Sequence, residues 1–244
     1  MMNVATLAEI GAANHGWLDA HHHFSFAGYR DYARMGFGPL RVWNDDLIKA
    51  GTGFPMHPHE DMEIITYVRT GAISHEDSLG NAGRTVAGDV QVMSAGTGIV
   101  HSEYNLEDED TTLFQIWIQP DTKGLSPRWE SREFPQVAHD AELTILASGR
   151  SAHQDMDALK IHQDAALFGT RLHKGQSVSH KLEQGRGGYL VPATGRVTVN
   201  GQQIDERSGV AVYEEDAIHV TADTDVEIVI VDVPFPWHPH ETFQ

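Results

Sequence analysis

Apolar and polar positions along this chain alternate in short runs rather than in long periodic stretches. Val86 to Met93, Leu113 to Ile118, Gly188 to Val191, Arg196 to Asn200 and Val226 to Val233 combine β-branched and aromatic residues at strand spacing, and each predicts a strand. A sustained 3.6-residue period is scarce. It predicts only short helices, at Met2 to Ile10, near Ser126 to Arg132 and along Asp155 to Ala166. Turn signals punctuate the runs at Arg69 to Gly71, Leu79 to Gly83, Asn200-Gly201 and Glu206 to Gly209. Asn200-Gly201 is the strongest hairpin signal, because both residue types tolerate the positive φ that a tight two-residue turn requires. The pattern is that of an all-β chain with a few short helices, arranged as a sandwich or barrel.

The second half reads as a worn copy of the first. In one half a strand ending at Gly71 leads to a hairpin, then to Gly88-Asp89 and a strand, then to His101. In the other a strand ending at Gly195 leads to Arg196 to Ile204, then to Gly209 and a strand, then to His219. Between them, Gln119 to Pro135 carries three prolines, a glycine and mixed charges, which suits a linker or a short connecting helix. With 244 residues against about 150 per domain, two tandem small barrels fit, spanning 1–135 and 136–244.

Composition narrows the chemistry. No run approaches the ~20 apolar residues that span a bilayer, and Met1 to Gly16 lacks the basic and apolar regions of a secretory signal, so a cytoplasmic protein with no membrane partner is expected. Seventeen Lys and Arg against 35 Asp and Glu give a net charge of −18, which opposes direct nucleic-acid binding. The chain has no cysteine and 16 histidines. Disulfides, thiolate nucleophiles and thiol-based redox sensing are therefore excluded, and any transition-metal site must use imidazole and carboxylate.

His-x-His occurs three times where chance gives about one. Residues i and i+2 of a strand share a face, so His57 and His59 would project together into a barrel. His21-His22-His23 and His238-Pro239-His240 have less support, and solvent exposure with adventitious metal pickup is the simpler reading there. Some forty residues after His59, His101 and Glu103 are again spaced i and i+2. Two such pairs on neighbouring antiparallel strands would offer three nitrogens and one carboxylate, which suits a hexacoordinate metal with two open positions. In the second copy, the same spacing counted back from Gly195 lands on Lys181 and Glu183, with only His180 nearby. His180 and His219 are therefore read as ordinary barrel residues.

The motifs His57-Pro58-His59-Glu60-Asp61-Met62-Glu63 and Met93-Ser94-Ala95-Gly96-Thr97-Gly98-Ile99, followed by His101-Ser102-Glu103-Tyr104-Asn105, resemble those of the cupin superfamily and, in this particular form, the pirin family. Phe24-Ser25-Phe26, Gly38 to Asp46 and Phe114 to Ile118 extend the resemblance, which is specific over about residues 15 to 135. It implies two tandem cupin barrels, a bicupin, with metal ligands His57, His59, His101 and Glu103 in the first and none in the second. Generic cupins take their carboxylate from the first motif, which leaves Glu63 as an alternative ligand. The resemblance is strongest to bacterial pirin-like proteins with quercetin 2,3-dioxygenase activity. It implies one divalent metal, iron first and nickel, cobalt, manganese, copper or zinc after it, with a flavonol and dioxygen as substrates.

A flavonol can chelate a metal through its deprotonated 3-hydroxyl and its 4-carbonyl, and a carboxylate must accept the proton. Glu103 is the candidate base, with Glu63 and then Glu60 behind it. The rival reading is a non-enzymatic metal-binding regulatory module acting through protein partners, as pirins also resemble transcription co-regulators. A monomer is expected.

Overall fold

The computed structural model describes residues 1–134 and 141–237. Twenty-two strands run through them. The first half holds β1 (Met2–Ala5), β2 (Gly11–Asn14), β3 (Leu18–His22), β4 (Leu40–Ile48), β5 (Gly53–His59), β6 (Glu63–Thr70), β7 (Ala72–Asp77), β8 (Ala82–Val86), β9 (Val90–Ser94), β10 (Ile99–Tyr104), β11 (Thr111–Ile118) and β12 (Arg128–Arg132). The second holds β13 (Thr144–Ser148), β14 (Leu159–Lys160), β15 (Ala166–Leu172), β16 (Ser177–Lys181), β17 (Arg186–Thr194), β18 (Val197–Val199), β19 (Gln202–Ile204), β20 (Gly209–Tyr213), β21 (Ala217–Ala222) and β22 (Val226–Pro234).

The predicted repeat is visible in the sheets. One barrel joins a seven-stranded sheet, β12-β9-β6-β11-β4-β3-β2, to a four-stranded one, β5-β10-β7-β8. The other joins β1-β20-β17-β22-β15-β13-β14 to β16-β21-β18-β19. The two seven-stranded sheets face each other, so their central strands are covered on both sides and read as nearly continuous apolar runs. Along β6, Ile64 and Val68 pack into the first barrel, while Ile65 and Tyr67 join a core shared with Tyr189, Val191, Val229 and Val231 of the second. Along β22, Ile228 and Ile230 fill the second barrel and the alternate valines fill that shared core. Polar pairs are buried in the same seam: Asp45 receives Arg69 and Arg207, Tyr67 donates to Glu227, and His23 meets the Tyr189 hydroxyl at 3.0 Å.

The predicted helices are absent. Among the described residues the helical content is one 3-10 turn, Ser151–His153. Met2–Ala5 is a strand, and its partner is β20, so the first residues complete the second barrel's sheet rather than the first's. An open sheet edge supplies backbone partners that one short amphipathic turn cannot match. Ser126 precedes Pro127, whose ring disfavours helical backbone before it, and Arg128–Arg132 pairs with β9, so the expected linker is partly a strand. The Asp155 to Ala166 stretch is irregular apart from β14, which lies parallel to β13. The expected domain boundary at 135/136 lies outside the described residues. Asn200-Gly201 is a hairpin turn, with φ of 44° and 85°. Among the described residues no helix is long and apolar enough to cross a membrane.

Candidate metal centre

The first barrel's four-stranded sheet gathers the histidines. β5 and β10 run antiparallel with His57 opposite His101, and the strand alternation brings His59 to the same side as His57. The ring centroids lie 4.4 Å apart for His57–His101, 4.8 Å for His57–His59 and 5.0 Å for His59–His101. One ring nitrogen from each lies within 4.8 Å of the others. Gly53, at the start of β5, permits the approach: a Cβ there would sit 2.2 Å from the Glu103 carbonyl oxygen.

Two of the three imidazoles, His59 and His101, are held towards the neutral form in which a histidine can ligate. Burial, and then the neighbouring His57, lowers His59 to about 4. Burial lowers His101 much further, with His57, His59 and His75 adding repulsion. His57 Nδ1 donates to the Pro55 carbonyl at 2.8 Å, which leaves Nε2 bare. His101 Nε2 is buried and has no hydrogen-bond partner in the protein. An orphaned buried nitrogen is costly, and a cation held by it together with His57 and His59 would remove the cost. The donor set therefore fits a divalent transition metal.

Glu103 lies two residues beyond His101 on β10, and the pairing with β5 shifts register between them. Its carboxylate does not fall in the close three-histidine group. It is buried against Gln115 Nε2 at 2.7 Å, Gln91 Nε2 at 2.8 Å and Thr66 Oγ1 at 3.2 Å, all donating to it. A carboxylate has about four lone-pair sites, so three donors leave one open. Burial raises Glu103 to about 7 against the pull of those donors. Gln91 and Gln115 escaped the sequence reading. Their signal is a lone amide inside an otherwise apolar strand, which marks a polar group held in the interior.

Glu63 is placed elsewhere. Thr66 faces Glu103 inside the barrel, so the alternation along β6 turns Glu63 to the opposite face, where its Oε2 accepts from Ser94 Oγ at 2.8 Å. Burial raises it to about 7, opposed by Ser94, the His162 amide and Arg128. As an alternative ligand or base it is not among the groups brought together with the histidines. Glu60 is exposed.

An aromatic wall flanks the centre. Trp117 stands edge-on to His59 at 4.9 Å and to Phe26 at 5.4 Å, and its Nε1 donates to Gln115 Oε1 at 3.2 Å. Gln115 thus fixes the wall and Glu103 together. Trp117 also lines a cavity of about 250 Å³ with Phe26, Tyr29, Met35 and Met62.

The other histidine clusters do not repeat this arrangement. His22 and His23 are buried, not solvent-exposed: His22 Nδ1 meets Asn44 Oδ1 at 2.8 Å, and His23 packs at the seam between barrels. In the second barrel His219 pairs with Ser179, not with Lys181 as the counted spacing implied, and it is exposed. His180 faces inward and is bound to Asp232. His238-Pro239-His240 lies outside the described residues.

Two barrels of this topology, one carrying a three-histidine group, define a bicupin. The pirin family model matches residues 4–118, and the model described as the quercetinase C-terminal cupin domain matches residues 147–233. A Pseudomonas aeruginosa protein provisionally named quercetin 2,3-dioxygenase is 60% identical over 92% of this chain and 96% of its own length. Quercetin 2,3-dioxygenase of Escherichia coli K12 is 45% identical over 93% of this chain and 96% of its own length. The crystal structure of the bacterial pirin YhhW from Escherichia coli in complex with nickel(II) superposes with a TM-score of 0.89 at 44% identity, covering 96% of this chain and 99% of that one. The chain belongs to the pirin family.

Proposed function

We propose that this protein is a metal-dependent dioxygenase that opens the heterocyclic ring of flavonols such as quercetin with release of carbon monoxide. His57, His59, His101 and Glu103 hold one divalent metal, and Glu103 also accepts the substrate's proton. The observations that carry the reading are that His57, His59 and His101 each bring one ring nitrogen within 4.8 Å of the others and that His101 Nε2 is buried without a partner in the protein. The names of the relatives support the substrate class. Iron is the proposed metal. Nickel is the first alternative, given the nickel-bound structural neighbour.

The metal, when bound, supplies Lewis-acid and template chemistry for a chelating enol. The chain's own residues do the rest. His57 and His59 are half-exposed and leave the centre open on that side, whereas His101 and Glu103 are buried beneath them. Trp117 and Phe26 offer flat apolar surface to a planar ring system. Thr66, Gln91 and Gln115 hold the Glu103 carboxylate while leaving a lone pair for a ligand or a proton.

Glu103→Gln tests the assignment. The amide keeps the three imidazoles and much of the metal but cannot take a proton, so turnover should fall about 10²–10⁴-fold while quercetin still perturbs the metal's absorption spectrum. Retained turnover would remove Glu103 from the base role. If protein loaded in turn with iron, nickel, cobalt, manganese and copper consumed no oxygen with any flavonol, the enzyme reading would give way to that of a metal-binding regulatory module.

A further inference from the structure

Behind His101 lies a second histidine that the metal assignment does not use. His75, on β7, sits beside His101 with the two Nδ1 atoms 3.4 Å apart. Its other nitrogen, Nε2, is 3.0 Å from Asp77 Oδ2, and both side chains are fully buried. Trp129 stacks flat on the His75 ring, with centroids 4.8 Å apart and planes inclined by 7°. Asp77 is itself held: Oδ1 accepts the Leu79 and Asn81 amides at 2.9 and 3.1 Å, and Oδ2 accepts Asn81 Nδ2 at 2.9 Å.

We propose that Asp77 and His75 form a buried relay that fixes the tautomer of His101, so that its Nε2 lone pair is permanently aimed into the three-histidine group. The chemistry runs in one direction. A carboxylate only accepts, so His75 Nε2 carries the hydrogen that it donates to Asp77. Neutral His75 then has a bare Nδ1, which can only accept from His101 Nδ1. That places the His101 hydrogen on Nδ1 and leaves Nε2 bare. Nε2 is the buried nitrogen that has no partner in the protein. His57 reaches the same tautomer by a shorter route, through the Pro55 carbonyl.

A ligand imidazole commonly donates its second N–H to a carboxylate, which raises its basicity and orients its ring. Here one imidazole is interposed between the two, and Trp129 clamps it. His75 and Asp77 are positioning residues: they act on the metal through His101.

Asp77→Asn gives the relay a sign. Two backbone amides keep an oxygen at the Oδ1 position, so the new amide nitrogen faces His75 Nε2, while Asn81 Nδ2, which lies within reach of both carboxylate oxygens, keeps its bond to the remaining one. His75 Nε2 then has to accept, its hydrogen moves to Nδ1, and His101 is forced to carry its hydrogen on Nε2, where a metal would bind. The inference rests on the metal reading of His101, and two measurements keep them separable. Long-range nitrogen–proton NMR of the metal-free full chain should show His75 protonated at Nε2 and His101 at Nδ1, with both reversed in Asp77→Asn. Competition titration with nickel(II) should show Asp77→Asn weaker by about 10–100-fold. His75→Phe, which keeps a ring under Trp129 but has no nitrogen, should lose affinity in the same range.

Wild-type protein with His101 protonated at Nε2, or doubly protonated His75, would overturn the relay. So would unchanged nickel affinity in folded Asp77→Asn and His75→Phe, since a merely structural role moves the melting temperature alone. Wild-type protein that bound no nickel yet showed the expected tautomers would support the relay and defeat the metal reading.

Discussion

The inner ends of the two barrels occupy the same place in the same topology and are filled in opposite ways. In the first, β5 and β10 present three imidazoles, with His101 Nε2 left unpartnered. In the second, β16 and β21 are also antiparallel, but their pairing runs without a register shift and the inward pair is His180 opposite Ile218. His180 and Arg186 both bind Asp232, Arg150 stands 3.5 Å from it, and Asp164 and Glu183 take the outer sides of the guanidinium groups. Every buried charge in that cluster has a partner of opposite sign. The difference teaches where to look for chemistry in a duplicated fold: the barrel that satisfies its own polar groups is a scaffold, and the one that leaves a nitrogen unsatisfied has room for a ligand.

The largest expected effect comes from erasing that difference. His101→Ala or His57→Ala should take bound metal from one equivalent per chain to none and reduce turnover to background while the circular-dichroism spectrum stays β-type, since the cores on either side do not depend on these rings. Global unfolding would make the metal a structural one. Elemental analysis of the double variant His180→Ala, His219→Ala should still give one equivalent, and a loss there would break the comparison.

The next effect belongs to the second barrel. Asp232→Ala leaves Arg186, Arg150 and His180 facing one another in a buried site, which should cost about 3–5 kcal/mol in chemical denaturation. Metal content per folded molecule should be unchanged.

A smaller effect is the pH dependence of stability that Glu63 contributes. Glu63 has a raised value near 7 in the fold, so its neutral form favours the folded state below about 4.5, and this contribution is lost as pH rises through 7. Relative to Glu63→Gln, wild-type stability should therefore fall between pH 5 and pH 8 by on the order of 1–3 kcal/mol and then level off. Turnover at fixed pH should be nearly the same in the two proteins. The smallest effect is that of His219→Ala, an exposed position whose change should stay within about 0.5 kcal/mol.

Much of this was legible in the chain. The spacing of His57, His59 and His101 placed all three in one group, because strand alternation depends only on parity. The same parity could not place Glu63, since its face depends on where β6 begins relative to the barrel, and the motif alone does not say. The counted equivalents of the ligands in the second copy were displaced by two residues, from Ser179 to Lys181, because loop deletions shift a count without shifting a sheet. Met2 to Ile10 and the region near Ser126 to Arg132 read as helical from their periodicity yet hold the strands Met2–Ala5 and Arg128–Arg132, for a different reason. Each is a short segment whose conformation is decided by a sheet edge far away in sequence, which local periodicity does not contain.

That distant edge bears on how the molecule is made. Met2 is hydrogen-bonded in register with Val212, and Ala5 with Gly209. Synthesis runs from β1 towards β20, so this segment must wait until nearly all the other strands are made before its partner exists, and so long a loop closure slows assembly. The first barrel can form around its own strands during that wait, but the second cannot finish its seven-stranded sheet, the one that faces the first barrel, without a strand that precedes the first barrel in sequence. Splitting the gene between the barrels would therefore yield two fragments of unequal competence, the second lacking an edge strand that must be returned to it in trans.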